Sequence, residues 1–385
     1  MNNKIKILVV AGEASGDEHG AEVLKALKSS SVTLDIFGMG GKSLRAAGME
    51  SIADSEKVAG VMGFTEVFAK LGQILGARRD LINQIKSRKP DVAILIDFPD
   101  FNFSLFKTLA SQNVKVVYYI TPQVWAWRKG RVKTIKKYVH RVLSIFPFEE
   151  KFFHDAGVDS NYVGHPFVDR PAMGKDKNQL MESLGFSNTA PILALLPGSR
   201  KAEIELLLQS MLEASDLVLA EIPEIQIAIP VAQSLDFDWV KQQLGNRRHI
   251  KLLNGQATEL LNCASAAVAA SGTVTLDAAL AGVPFMIIYK LKPLTFFLAK
   301  RLVKGVKYFG MPNLIAGKEI VKELLQDQAN PGNIAAELIK LLLDKKYSQQ
   351  VVLDLKNVKL QLSKDSEIKT SERVAQEVMA VANAR

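Results

Sequence analysis

A short apolar run, a loop of small residues and then a helical pattern recur along this chain, beginning with IKILVV at Ile5–Val10 and GEASGD at Gly12–Asp17. Further runs follow at Leu34–Phe37, Val92–Ile96, Val114–Ile120 and Val142–Ile145, most of them separated by a polar or amphipathic segment long enough for a crossover. That alternation predicts a doubly wound α/β sheet with parallel strands. After about residue 166 the pattern restarts, with Ile192–Leu196, Ile225–Pro230, Ile250–Leu253, Ala266–Ala270 and Phe285–Ile288, and with helices such as Glu203–Glu221 and Thr273–Ala281 between them. At 385 residues the chain exceeds one ordinary core, so two Rossmann-like domains of roughly 150–200 residues each are expected in tandem. The polar stretch Pro166–Gly185, with Pro166, Pro171 and Gly174, reads as the linker. We expect an N-terminal domain over 1–168, a second over 169–346, and a helical segment over 347–385 that packs on a lobe or on a partner.

Cys263 is the single cysteine, so no intramolecular disulfide forms, and the first apolar run has no cleavage site after it. A cytoplasmic protein is expected. No uncharged run has the length and hydropathy of a membrane span. The net charge of +9 points to anionic partners, among them nucleic acid, anionic lipid and phosphorylated substrates.

Open parallel sheets bind ligands at the carboxyl ends of their strands. GEASGD sits at such an end: Gly12 and Gly16 permit close approach, while Glu13, Ser15 and Asp17 offer polar contacts, unless Ser15 or Asp17 only caps the next helix. Asp97 ends another strand and opens DFPDFNF, where desolvation among Phe98, Phe101 and Phe103 would raise its pKa toward that of a general base. It stands nearer the strand end than Asp100 does. In the second half, LPGSR at Leu196–Arg200 and ASGTVTLD at Ala270–Asp277 both join a strand to a helix. Backbone amides of Gly198 and Ser199, the Arg200 guanidinium and a second helix start suit a nucleoside diphosphate, with Asp277 within reach of a ribose hydroxyl.

Other signals fail. No G-x-G-x-x-G follows the first strand, and GMGGKS at Gly38–Ser43 lacks the earlier glycine of a P-loop, Ile36 standing there, so it reads as a tight turn. Asp236-Phe237-Asp238 reads as a helix start. The five histidines show no metal-ligand spacing, and no bound metal is expected.

The charge is concentrated. WAWRKGR at Trp125–Arg131 continues through Lys133, Lys136, Lys137 and Arg141 without an acid, a stripe open to RNA, to a phosphate with tryptophans at a lipid interface, or to solvent. The acid-free region from Ala278 to Lys318 mixes lysines with Leu294, Phe296, Phe297 and Leu298, which favours a membrane surface over nucleic acid. VFAKLGQIL at Val67–Leu75 carries an apolar stripe, interrupted by Lys70, Gly72 and Gln73.

Taken in order, GEASGD, VMG from Val61, DFPDFN, PQVWAWR from Pro122, LPGSR, ASGT and PNLIAG from Pro312 resemble the lipid-A-disaccharide synthases over nearly the whole chain. The resemblance implies a GT-B fold, two Rossmann-like doubly wound parallel-sheet domains facing a central cleft. It implies an inverting, metal-independent glycosyltransferase with no cofactor, joining UDP-2,3-diacylglucosamine to the 6-hydroxyl of 2,3-diacylglucosamine 1-phosphate and releasing UDP. Under it Asp97 is the catalytic base. Gly198, Ser199, Arg200, Ser271, Gly272, Thr273, Asp277 and Asn313 hold the donor, although many enzymes of this fold carry Glu where this chain has the shorter Asp277. Gly12, Glu13, Ser15, Gly16, Asp17 and Asp100 face the acceptor. Trp125, Trp127, Arg128, Lys129, Arg131, Val67, Phe68 and Leu71 meet the acceptor phosphate or the membrane. The implied location is peripheral, on the cytoplasmic face of the inner membrane of a Gram-negative bacterium, with no nucleic acid partner and a homodimer left open. Rival readings are a UDP-N-acetylglucosamine epimerase or hydrolase, and a non-catalytic RNA- or membrane-binding protein.

Overall fold

Strands whose side chains are buried on both faces need continuous apolar sequence, and Ile7–Ala11, Val92–Ile96 and Val116–Tyr119 supply it in the first half of the chain. In a computed structural model, the protein is described over residues 4–29, 32–59, 64–126, 130–170, 176–292, 307–364 and 367–384, the side chains of 58–59 and 64–71 excepted. It divides into two compact units, residues 1–169 with 362–385, and residues 170–361.

The first unit holds a seven-stranded sheet. Its strands are β1 (Ile5–Ala11), β2 (Leu34–Gly40), β3 (Glu50–Asp54), β4 (Val92–Ile96), β5 (Lys115–Tyr119), β6 (Arg141–Ser144) and β7 (Ser160–Tyr162). They lie in the order β3-β2-β1-β4-β5-β6-β7, every neighbour parallel. The second unit has six strands, β8 (Ile192–Leu196), β9 (Gln226–Val231), β10 (Ile250–Asn254), β11 (Ala266–Ala270), β12 (Phe285–Tyr289) and β13 (Glu323–Leu325), ordered β10-β9-β8-β11-β12-β13 and again all parallel. Both sheets reverse direction of winding once, between β1 and β4 and between β8 and β11. Those are the switch points where a doubly wound sheet opens a crevice for ligand.

Three strands, β3, β7 and β13, escape the apolar-run criterion. All three are edge strands with a neighbour on one side only, so ESIAD, SNY and ELL need no continuous grease.

The tail is divided between the units. The Lys345–Ser363 helix belongs mainly to the second, whereas the Thr370–Asn383 helix packs on the Ala14–Lys28 helix and over β4 and β5 of the first. It buries Val374, Ala375, Val378 and Val381 and adds polar ties: Glu377 pairs with Arg141 at 2.7 Å, Arg373 Nε donates to the Val163 carbonyl at 2.7 Å, and the Thr370 N–H donates to Asp169 at 2.5 Å.

Candidate functional site

At the first switch point Ala11 and Ile96 end their strands as register partners, and Gly12 and Asp97 follow them. Asp97 and Phe98 both adopt left-handed backbone, with φ of 47° and 46°, and Ile120 at the end of β5 does the same at 56°. Non-glycine residues avoid this region, a β-branched one most of all, and such strain gathers at functional sites. The Phe98 ring lies over Gly12, where any Cβ would overlap it. Here glycine admits a neighbouring side chain.

The Asp97 carboxyl is largely buried, and burial first, then the nearby charge of Glu13, pushes its pKa upward, while the Phe98 N–H acts in the opposite direction. Glu13, and Ser15 in the first turn of the Ala14–Lys28 helix, are exposed. Asp17 is not: its carboxylate is buried and accepts the backbone N–H groups of Gly41, Ser43 and Leu44 at 2.6, 2.8 and 3.2 Å. Asp17, expected to face an acceptor, is thus tied by three amides into the core, unlike the exposed Glu13 and Ser15. It caps a helix, though not its own: Gly41 of GMGGKS is the residue before the Lys42–Ala46 helix that it holds, while Gly38 and Gly40 belong to β2.

Asp100 is exposed and forms an ion pair with Arg131, whose guanidinium lies 5.0 Å from the centre of the Phe103 ring. Two residues assigned separately, one to the acceptor loop and one to a phosphate grip, thus hold each other. Trp125 donates its indole N–H to Glu149 at 3.2 Å and stands edge-on to Phe148 at 5.0 Å. Sequence reasoning passed over Glu149. It is buried, it accepts the Phe146 N–H at 3.3 Å, and burial pushes its pKa up to about 7 against the pull of these hydrogen bonds. Trp127, Arg128 and Lys129 lie outside the described residues, as do the side chains of Val67, Phe68 and Leu71 on the Phe64–Arg88 helix.

The second switch point opens a cavity of about 350 Å³, lined among others by Gly198, Ser199, Arg200, Gly272, Thr273 and Asp277. Residues predicted from the two strand–helix turns therefore do meet. Their hydrogen bonds are arranged differently. Glu203, at the third position of the Lys201–Glu221 helix, turns back so that its carboxylate accepts the N–H groups of Ser199 and Arg200 at 2.9 and 3.2 Å and pairs with the Arg200 guanidinium at 3.0 Å. Gly198, at φ 114°, makes room for that carboxylate. The Ser199 amide, expected to meet a diphosphate, is held here by an internal anion. A Glu three residues past a helix cap was the legible signal for this.

On the other turn the Ser271 N–H donates to the Ile288 carbonyl at 3.1 Å and its hydroxyl to the Phe309 carbonyl at 3.3 Å. The N–H groups of Gly272 and Thr273, by contrast, have no protein acceptor among the described residues, and they open the Val274–Ala281 helix. Asp277 pairs with Arg170 at 2.7 Å; burial raises its pKa and Arg170 opposes the rise. Asn313 is fully buried, and its amide donates to the Val321 carbonyl and to Glu323 at 2.8 and 2.7 Å while accepting the N–H groups of Ile320 and Val321 at 2.7 and 3.0 Å. With these donors and acceptors used inside the protein, Asn313 braces the loop that returns at Ile320–Glu323.

The sequence model of the lipid-A-disaccharide synthetase family matches residues 7–378. Lipid-A-disaccharide synthases of Koribacter versatilis and Geobacter sulfurreducens are 40% and 42% identical to the chain, covering 98% and 97% of it and 99% and 96% of themselves. That of Myxococcus xanthus is 44% identical over 88% of each chain. Among solved structures, the kitacinnamycin glycosyltransferase superposes with a TM-score of 0.62 at 15% identity, covering 99% of this chain and all of that one. UDP-GlcNAc 2-epimerase from Neisseria meningitidis, bound to UDP-GlcNAc, gives 0.60 at 12%, over 98% and 99%. At such identities the structures bear on the fold alone, which is that of the GT-B glycosyltransferases and epimerases.

Proposed function

Because the chain belongs to the lipid-A-disaccharide synthase family, we propose that its two strand-end sites divide the work of one glycosyl transfer. The enzyme is a glycosyltransferase that joins UDP-2,3-diacylglucosamine to 2,3-diacylglucosamine 1-phosphate. Asp97 takes the proton of the acceptor 6-hydroxyl as that oxygen bonds to the anomeric carbon. The bond from that carbon to the diphosphate oxygen breaks on the opposite face, so configuration inverts and UDP leaves with the electron pair. The observation that carries this reading is Asp97 itself: a carboxyl with a raised pKa, at a sheet switch point, on strained backbone beside an exposed polar loop.

The leaving diphosphate is met by Arg200 and by the N–H groups of Gly272 and Thr273 at the start of a helix, preorganised donors of the kind that stabilise developing charge. This electrostatic set would serve in place of a metal. Glu13 and Ser15 position acceptor hydroxyls. Trp125 and the basic residues after it, with the Val67–Leu75 stripe, meet acyl chains and an anionic leaflet, making the enzyme peripheral to the inner membrane. No helix among the described residues is long and apolar enough to cross a bilayer.

The test is mass-spectrometric detection of the tetraacyl-disaccharide 1-phosphate from purified protein and both lipids in detergent, with and without EDTA. Product that persists with chelator, and turnover that falls at least about a hundredfold in Asp97→Asn, is the expected result. UDP release without disaccharide would indicate a hydrolase, and product that disappears with EDTA would overturn the metal-free mechanism.

A further inference from the structure

The strained peptide at the end of β4 is held from its buried side. Where β4 stops pairing with β5, at Ile96 opposite Tyr119, the Asp97 N–H still reaches the carbonyls of Tyr119 and Ile120 at 3.3 and 3.2 Å. Its carbonyl has turned out of the ladder. That oxygen accepts the Asn102 side-chain amide at 2.6 Å and the Tyr118 hydroxyl at 3.1 Å. Asn102 also uses its backbone N–H, which donates to the Phe98 carbonyl at 3.1 Å. One residue thereby grips the carbonyls of both left-handed residues in succession.

Neither donor has freedom to wander. Asn102 and Tyr118 are both fully buried, and the Tyr118 ring is fixed edge-on against Phe106 and Phe103, at 6.3 and 6.4 Å between centres. Burial, and then the charge of Asp97, pushes the Tyr118 phenol upward, so its hydroxyl stays a donor throughout the working pH range. The Asn102 Oδ1 has no partner among the described residues. A leucine has the same branched set of four side-chain heavy atoms, though bulkier, and buries no unmatched oxygen, so what the amide adds at this position is its bond to Asp97.

We propose that Asn102 and Tyr118 are positioning residues for the transfer, clamping the Asp97 carbonyl so that the Asp97–Phe98 pair stays left-handed and the carboxylate is presented to the acceptor hydroxyl. This rests on the reading of Asp97 as the base. Neither residue touches substrate, and both act through Asp97, so their contributions exist only while Asp97 does.

The experiment is a double-mutant cycle in the full-length enzyme, with Tyr118→Phe and Asn102→Leu made alone and in the Asp97→Asn background. We expect kcat to fall about tenfold in Tyr118→Phe and about a hundredfold in Asn102→Leu, the scale of a base displaced by an ångström or less. The KM for either substrate and the Kd for UDP should stay within about twofold, and neither substitution should lower the residual turnover of Asp97→Asn by more than about twofold. Tyr118→Phe removes one oxygen from a packed ring, so it carries the test if Asn102→Leu does not fold. A kcat unchanged in Tyr118→Phe, or equal losses in both backgrounds, overturns the clamp. Full turnover by Asp97→Asn alone overturns the base assignment and the clamp with it, which separates the two failures.

Discussion

The carboxylate of Glu203 accepts the Ser199 N–H at 2.9 Å inside the cavity proposed for the nucleotide, and so occupies a seat suited to a phosphate oxygen. It also neutralises Arg200, the cation proposed to meet the diphosphate. Removing the charge while keeping the side chain's length should release Arg200 and weaken the hold on the Ser199 N–H. Glu203→Gln is expected to bind UDP about threefold more tightly, and Arg200→Ala about tenfold more weakly, by isothermal titration at low salt. Weaker binding by Glu203→Gln would mean that the carboxylate's hold on the turn outweighs its competition with phosphate.

A methyl group at position 12 meets the Phe98 ring, and Phe98 is the second of the strained pair. Gly12→Ala must displace the ring or the loop, at a cost of about 1–3 kcal/mol. The expected outcome is a kcat reduced at least tenfold with UDP affinity unchanged, because the proposed nucleotide site lies in the other unit. Steady-state kinetics and titration on the same preparation check it.

Asp17, with three amides on its carboxylate, belongs to the fold. Asp17→Ala strands those N–H groups in the core and should lower stability by about 3 kcal/mol or more, read as a shift in the denaturant midpoint. Protein that remains folded should keep kcat within about twofold. A selective loss of kcat without a shift in midpoint would return Asp17 to the active site.

Glu149 makes stability depend on pH. Its folded pKa, about 7, lies above the ordinary 4.5, so the folded state favours the protonated form. Stability from this group is therefore fully present below about pH 4.5 and is lost as pH rises through 7, by up to about 3 kcal/mol. Glu149→Gln keeps an acceptor for Trp125 and has no proton to lose. Its stability relative to the parent should rise between pH 5 and pH 8, a comparison in which the raised carboxyls of Asp97 and Asp277 cancel because both proteins carry them. A difference that does not change with pH would place Glu149 in its ordinary titration range.

Much of this molecule was readable from local sequence. Val92–Ile96, Ile192–Leu196 and Ala266–Ala270 are strands at the bounds the apolar runs predict, and the residues after them line the switch points, because a central parallel strand must be apolar along its length and its loop must hand over to a helix. That Asp97 and the turn at Gly198–Arg200 follow central strands was legible on those grounds, as was membership of the family. What each polar side chain bonds to was not. Asp17 reaches Gly41, Glu149 reaches Trp125, and Tyr118 reaches the carbonyl of Asp97, each across about twenty residues of chain. Such partners are chosen by strand order and register, which no local pattern encodes. The same holds for Asn313, whose residue type suits a sugar as well as a loop; only the return of Ile320–Glu323 beside it exhausts its hydrogen bonds. Sequence determined where chemistry could be placed, and tertiary packing decided which polar groups were left free to perform it, because a hydrogen bond made inside the fold is one no longer offered to substrate.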